Sequence, residues 1–420
     1  MDDKKLFTKI LKLKAPWFIT KVNTDEELQQ IDVWVDHEKN IQVMCPKCEQ
    51  FYSVYDHAPE RVYRHLNVCQ MKMFIHIRMP RVNCPEHGVL QIYSEFGENG
   101  SDMTYEFEKL IIDFAKECSI QAIGRLYDIH WDRCWNTVER AVNRGQKRKP
   151  HALPKRIGVD EKSFAKGHKY ETIVTDIDNG TVEFVCDDRQ QESLASYYKQ
   201  FKQEELANIQ AVAMDMWDPF IAATKAHVPD ADKKIVFDKF HVMGYATKAV
   251  DKTRIAEHKA LKEAGDETLK GTKYLWLWNE ENVPELRKEA YYALKAMDLK
   301  TAKACAIKDN LRHLWDYKYE ACMRKYFDKW YFWATHSKIT PMISAAKTIK
   351  THIDHIVTYA KHRITNALGE SINAKIEKVK RIACGFRNRA HYRAAIFFHC
   401  GGLDLYPRPP VKPCLRYRIG

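Results

Sequence analysis

Three carboxylates, Asp160, Asp215 and Glu370, have the type and spacing for metal chemistry on a phosphodiester. Asp160 closes one apolar run, Arg-Ile-Gly-Val-Asp-Glu, and Asp215 closes another, Ala-Val-Ala-Met-Asp-Met. Glu370 lies in RITNALGESINAKIEKVKRIACGFR, residues 363–387, where Leu368, Ile372, Ile376 and Val379 recur as one helical apolar stripe. Glu370, Asn373 and Glu377 fall on a flank beside that stripe, and Lys375, Lys378, Lys380 and Arg381 take the other faces. Acids at the ends of neighbouring strands, joined by one from a later helix, can hold two divalent cations ~3.5–4 Å apart. Such a pair activates an attacking oxygen and stabilises the leaving oxygen. A carboxylate in a cationic surround suits a ligand that works beside a polyanion. The alternative is a solvated Glu on an amphipathic surface helix, and spaced triples of acids are cheap in a chain with 56 of them. Glu161 and Asp218 are close rivals, expected not to be ligands.

Cys45-Pro-Lys-Cys48 and Cys84-Pro-Glu-His87 form two knuckles separated by 35 residues. Their number and softness match one tetrahedral, structural Zn²⁺ with no open position. Cys69, His57 and His65 lie between them and are expected in core or surface roles.

Residues 119–142 read as two short helices around a break, with Ile120, Ile123 and Leu126 on one apolar face and Trp135 and Val138 inward. That pattern resembles a helix-turn-helix whose second helix would offer Arg133, Asn136, Thr137 and Arg140 to a DNA major groove. A simple pair of packing helices is the alternative. Asp238-Lys-Phe-His241 could be an auxiliary metal or DNA contact, or a local hydrogen bond that orients its loop, which is the reading the residues favour.

The elements that must position these groups follow from periodicity. Residues 1–100 read as short strands, with Ile31, Val33 and Val35 alternating, and Met73, Ile75, Ile77 and Met79 likewise. Residues 103–147 read as helices, and 147–154 as a basic, proline-bearing linker. Strands are expected at 157–160, 170–176, 181–186, 209–214 and 234–237, with an Asn-Gly hairpin at Asn179-Gly180 and helices at 190–206 and 220–227. A hairpin first and crossovers later describe a mixed sheet of the ribonuclease H type. From 242 to 360 the pattern is helical, and Trp276, Trp278, Trp315, Trp330 and Trp333 are expected mostly in its core.

With 420 residues, 45% of them hydrophobic, the chain can bury two or three cores. No apolar run approaches the ~18 residues of a membrane span, and no signal-peptide pattern follows Met1. A soluble cytoplasmic protein is expected, with no membrane partner. The net charge of +12 is concentrated: residues 363–420 carry twelve Lys and Arg against three acids. Arg144, Lys147, Arg148, Lys149, Lys155 and Arg156 form a second cationic run with no acid among them. Both favour a phosphate backbone as partner over a merely solvated surface. No Walker A motif, Rossmann fingerprint or G-x-S-x-G elbow is present.

Taken together, the chain resembles bacterial insertion-sequence DDE transposases of the ISL-three type over nearly its whole length. The most specific segments are Ile157-Gly-Val-Asp-Glu161, Ala213-Met-Asp-Met-Trp217, Phe237-Asp-Lys-Phe-His-Val242 and the stretch from Asn366 through Glu370-Ser-Ile-Asn373 to Gly385-Phe386. Cys384 and Glu377 depart from the expected pattern and blur the DNA contacts of the last helix. The resemblance implies a multidomain α+β protein. A zinc-ribbon-like β domain (1–100) would precede a helix-turn-helix (101–150). A ribonuclease H-like mixed α/β catalytic domain (151–241 and 361–420) would then be interrupted by an all-α insertion (242–360).

It further implies Asp160, Asp215 and Glu370 as catalytic ligands of two Mg²⁺ (or Mn²⁺), with Asp238 and His241 as an auxiliary motif. Lys375, Lys380 and Arg381 would contact DNA. The partners would be terminal inverted repeats and target DNA, held by a homodimer or larger assembly near the nucleoid, without ATP. The rival readings are a zinc-containing DNA-binding regulator with an inactive nuclease-like domain, and a ribonuclease H-like nuclease without strand transfer.

Overall fold

The computed structural model describes residues 3–165, 169–364, 367–410 and 414–417. Asn366 lies outside them, as does the side chain of Leu368. The chain forms two compact units, one of Met1–Pro150, Val379–Gly385 and Phe397–Gly420, the other of His151–Lys378 and Phe386–Ile396. None of the described helices is long and apolar enough to cross a membrane.

The first unit is β-rich. Strands β1 (Trp17–Asp25), β2 (Gln30–His37), β3 (Ile41–Met44), β4 (Phe51–His57), β5 (Arg61–Val68), β6 (Met71–Ile77), β7 (Pro80–Cys84) and β8 (Gly88–Gln91) divide between two sheets. One sheet has the order β1-β2-β6-β5. Its parallel pair sets Ile31 opposite Met73, Val33 opposite Ile75 and Val35 opposite Ile77, so the alternating residues meet on one buried face. The other sheet runs β3-β4-β7-β8 and gains an edge strand from the far end of the chain. The strand Leu415–Tyr417 pairs antiparallel with Ile41–Val43. This corrects the expectation that 361–420 all belongs with the α/β region: Phe397–Gly420 joins the N-terminal unit.

The helix Asp3–Ile10 precedes these strands, and the helices Tyr105–Glu117, Ile120–Tyr127 and Trp131–Arg148 follow them. Thr104 and Ser119 cap the first two of these three, their hydroxyls accepting from the amides of Phe107 and Ala122. Gly124 permits the turn that follows, because a Cβ there would stand 2.7 Å from the carbonyl oxygen of Ile129. Glu108 is the polar centre of this packing, 1% exposed, with Arg140 as an ion-pair partner and Arg144 at 3.2 Å. Glu108→Ala would take the carboxylate from Arg140, while Arg144 keeps Glu98, so we expect the N-terminal unit to lose about 1–3 kcal/mol, read as a shift of its urea midpoint.

The second unit is built on β9 (Arg156–Ala165), β10 (Lys169–Asp176), β11 (Thr181–Asp187), β12 (Ala211–Met214) and β13 (Ile235–Phe237). The sheet order is β11-β10-β9-β12-β13, antiparallel across the first three strands and parallel across the last three. All four residues of β12 are buried, as its unbroken apolar run requires of a strand covered on both faces. The β10–β11 reversal is held by Asp176, whose Oδ1 accepts from the amides of Asp178 and Asn179. β9 runs on to Ala165, so Asp160 sits within it and not at its end.

The region expected helical at 190–206 divides into Gln191–Tyr198 and Gln203–Ala207. After β13 the chain is helical from Lys239–Glu263 through Tyr359–His362. Trp276, Trp315 and Trp330 are buried in its core, whereas Trp333 is exposed. The helix Ala367–Ile382 carries Glu370.

Candidate functional site

The two central aspartates are brought together by strand register. β12 pairs in parallel with β9 through Ala211↔Arg156, Val212↔Ile157 and Ala213↔Gly158. Two residues further along each strand lie Asp215 and Asp160, where β12 has ended and β9 continues. Both line a cleft of about 1060 Å³, together with Glu161, Asp238, His241 and Glu370. Asp218 is not among its lining residues.

Both central aspartates are held by identifiable donors. Asp160 Oδ1 accepts from the backbone amide of Glu161 at 2.7 Å, and its Oδ2 accepts from Asn373 Nδ2 at 2.5 Å. Lys162 Nζ lies 3.8 Å from the same Oδ2. His241 Nε2 meets Asp215 Oδ1 at 2.9 Å, with Asp238 Oδ2 at 4.0 Å. Asp238 caps the helix Lys239–Glu263, accepting from Phe240 N.

Burial raises the pKa of Asp215, and the charges of Asp160 and Asp238 add to this against the His241 hydrogen bond. Burial alone would lower His241, but the bond to Asp215 and the surrounding carboxylates raise it. Such crowding of hard oxygen donors in one cleft is the donor set that divalent cations of the Mg²⁺ type take. Glu161 is diverted: Arg189 Nη1 holds it at 2.9 Å, and the Arg189 guanidinium lies over the rings of Tyr170 and Trp217.

Glu370 is exposed in the first turn of its helix, and Ile372, Ile376 and Val379 form the buried stripe expected there. Lys375 and Arg381 are exposed and Lys380 half-buried. The three acids share the cleft without being drawn into one ligand cluster. Among the described residues, the only group with ligand atoms within 4.8 Å of one another is Cys45, Cys48, Cys84 and His87.

That cluster fits zinc. Cys45 Sγ stands 3.9 Å from His87 Nδ1, Cys48 Sγ 3.7 Å from Cys84 Sγ, and Cys84 Sγ 3.4 Å from His87 Nδ1. Tetrahedral Zn²⁺ at the usual bond lengths needs edges of about 3.5–3.8 Å. Burial raises the Cys84 thiol, yet hydrogen bonds from His87, the Glu86 and His87 amides and Cys48 pull it down to about 6. All four positions are protein ligands, so the site is structural.

The helix expected to read DNA needs a correction. Thr137 is 0% exposed and its hydroxyl donates to Arg133 O and Met103 Sδ, while Arg140 is committed to Glu108, Ser101 and Thr137. Arg140 turns inward because the helix Tyr105–Glu117 supplies the buried carboxylate of Glu108, and Thr137 accepts from that guanidinium. Arg133 remains half-exposed, paired with Asp102 at 2.7 Å, and Asn136 is exposed. Leu126, expected inside, is 64% exposed.

Sequence reasoning missed Lys162 and Arg189. Lys162 carried a signal, standing two residues from Asp160 on the same face of one strand. Arg189 carried none, since only the fold sets it against Glu161.

Known proteins match this sequence. A family model for DDE transposases of the ISL3 type, described as "Transposase", matches residues 157–396, a span that contains Asp160, Asp215 and Glu370. A second model, described as "zinc-finger of transposase IS204/IS1001/IS1096/IS1165", matches residues 42–87, which contain all four zinc ligands. The chain belongs to the ISL3-type DDE transposase family, enzymes that act on DNA. Among its relatives is the transposase for insertion sequence element IS1557 of Mycobacterium tuberculosis. It is 29% identical over 375 residues, covering 82% of each chain. The transposase for insertion sequence element IS1001 of Bordetella parapertussis is 24% identical over 357 residues, covering 83% of this chain and 87% of the relative.

Proposed function

We propose that this transposase binds the terminal inverted repeats of an insertion sequence, nicks the element ends and joins them to target DNA, with Asp160, Asp215 and Glu370 as its catalytic acids. The observation that carries the reading is the β9–β12 register, which sets Asp160 and Asp215 side by side in the cleft that Glu370 also lines. The sheet order, three antiparallel strands and then two parallel ones, supports a ribonuclease H-like catalytic domain. The helices from 239 to 362 stand between its two parts as an insertion. Two Mg²⁺ (or Mn²⁺) ions held by the three acids would supply activation of the attacking oxygen and stabilisation of the leaving one.

The protein's own residues prepare that chemistry. Asn373 and the Glu161 amide fix the carboxylate of Asp160, His241 fixes that of Asp215, and Arg189 keeps Glu161 away from both. Water breaks the phosphodiester at the element end and leaves a 3′-hydroxyl. That hydroxyl then attacks a target phosphodiester, exchanging one P–O bond for another, so no ATP is needed. Synapsis of two ends requires at least a dimer.

The zinc-ribbon region and the helix pair are the proposed end-binding modules, with Lys375, Lys380 and Arg381 as further proposed DNA contacts. Asn136→Ala should cost about 1–3 kcal/mol of discrimination for the cognate end, as a base contact does. Lys147→Gln should weaken every DNA equally and lower the salt slope by about one. Gel shifts over a salt series separate the two, and loss of affinity without sequence preference in both variants would remove the recognition helix.

The test of the whole reading is incubation with Mg²⁺, a labelled duplex of the element's terminal sequence and a plasmid target. Covalent joining of the end to the plasmid is expected. Nicks without joined product would favour a nuclease lacking strand transfer.

A further inference from the structure

Phe240 is the most exposed large hydrophobic side chain on the wall of the acidic cleft, 68% accessible in the first turn of the helix Lys239–Glu263. Single exposed phenylalanines are ordinary, but the placement of this one is constrained. Its amide donates to Asp238 Oδ1 at 3.1 Å. The next residue, His241, holds Asp215 Oδ1, and the two rings meet edge-on with centroids 5.8 Å apart. The ring is therefore tied, through one helical turn, to the carboxylate proposed to face the scissile phosphate. Lys239 and Lys248 line the same cleft and supply positive charge for a phosphate backbone.

We infer that Phe240 is a stacking platform for one unpaired nucleobase beside the phosphodiester being cut. This rests on the proposed placement of the element end over Asp160, Asp215 and Glu370. A nucleobase is one sugar away from its phosphate, so a phosphate at the acids brings a base to the cleft wall. A base inside a duplex presents only its edges to a protein, and its face becomes available once it leaves the stack. An aromatic ring accepts the face of any base, which suits a position that must open DNA without reading it. An apolar side chain of a second protein copy could also cover the ring, and the experiment separates the two occupants.

The test is equilibrium binding of the full chain, with Mg²⁺ omitted, to labelled duplexes of the element's terminal sequence. One duplex is fully paired, and the others carry a single unpaired 2-aminopurine moved stepwise along the end. The wild type should bind one of the unpaired ends about tenfold more tightly than the paired end and quench its fluorescence. Phe240→Ala and Phe240→Leu should bind both ends equally and leave the fluorescence high, whereas Phe240→Trp should keep preference and quenching. The ring is mostly in solvent, so these variants leave the core intact. A wild type with no preference at any position, or a Phe240→Leu variant that keeps it, overturns the platform and favours a protein occupant. A wild type that shows the preference yet cleaves nothing in Mg²⁺ counts against the three-acid site and leaves the platform standing.

Discussion

Asp215→Asn, Asp160→Asn and Glu370→Gln are each expected to leave no measurable end cleavage or strand transfer, while affinity for the element's end is kept or raised. Each substitution preserves shape and removes one anionic oxygen donor from a cleft built of them. Metal stabilisation of the transition state amounts to several kcal/mol, so losing a ligand should cost roughly a thousandfold or more. Removing negative charge beside a polyanion works in the opposite direction on binding. The contrast with the neighbours gives the experiment its power. Glu161→Gln should cost far less, because Arg189 already holds that carboxylate. Asp218→Asn should cost little, because Asp218 does not line the cleft. His241→Ala falls between, about 10–100-fold, as expected for a residue that positions a ligand. Its signature is a higher Mg²⁺ requirement, restored in part by raising the metal concentration. A cleavage and strand-transfer assay, with a gel shift on the same labelled end, reads all of these. Full activity in Glu370→Gln would remove the third acid, and a wild type inert with every divalent metal would favour a DNA-binding module.

What the sequence made legible depended on how local the physics was. The zinc ligands could be read because the two knuckles carry their chemistry in spacings of three residues, and the structure converges them without reference to anything else. The buried parallel strand at 211–214 was legible because a strand covered on both faces is continuously apolar. The apolar run suggests that β9 ends at 160, because Glu161 and Lys162 break it, yet pairing with β10 carries the strand on to Ala165. Helical periodicity likewise identified the inward Trp135 and Val138 but misplaced Thr137, Arg140 and Leu126. A period marks a face without saying what the neighbouring helix offers, and here the buried Glu108 draws polar groups inside. The strand Leu415–Tyr417 was beyond reach for a different reason. Three residues in a basic tail carry no pattern of their own, and their register is set by a partner near the other end of the chain.

Removal of zinc should unfold more than the knuckles. Cys45 follows β3, Cys48 precedes β4, Cys84 ends β7 and His87 precedes β8, so one ion ties all four strands of a small sheet at their turns. Cys45 and Cys84 are also buried in the core of the unit. Structural zinc binds with about 10–16 kcal/mol in small domains, and that free energy is folding free energy where no site exists in the unfolded chain. A single Zn²⁺ per chain is expected by elemental analysis, and Cys48→Ser or a chelator should melt β3, β4, β7 and β8. The C-terminal strand pairs with β3, and the Cys414 amide donates to Glu95 at 3.2 Å, so losing β3 should also release the end of the chain. Limited proteolysis should then cut both within residues 40–100 and after 400, while residues 151–396 stay protected. Cuts confined to the knuckles would mean that the C-terminal strand is held independently of the metal. A stripped protein with unchanged hydrogen-exchange protection in β3 and β4 would show that apolar packing alone holds this sheet and that the four ligands do not stabilise it.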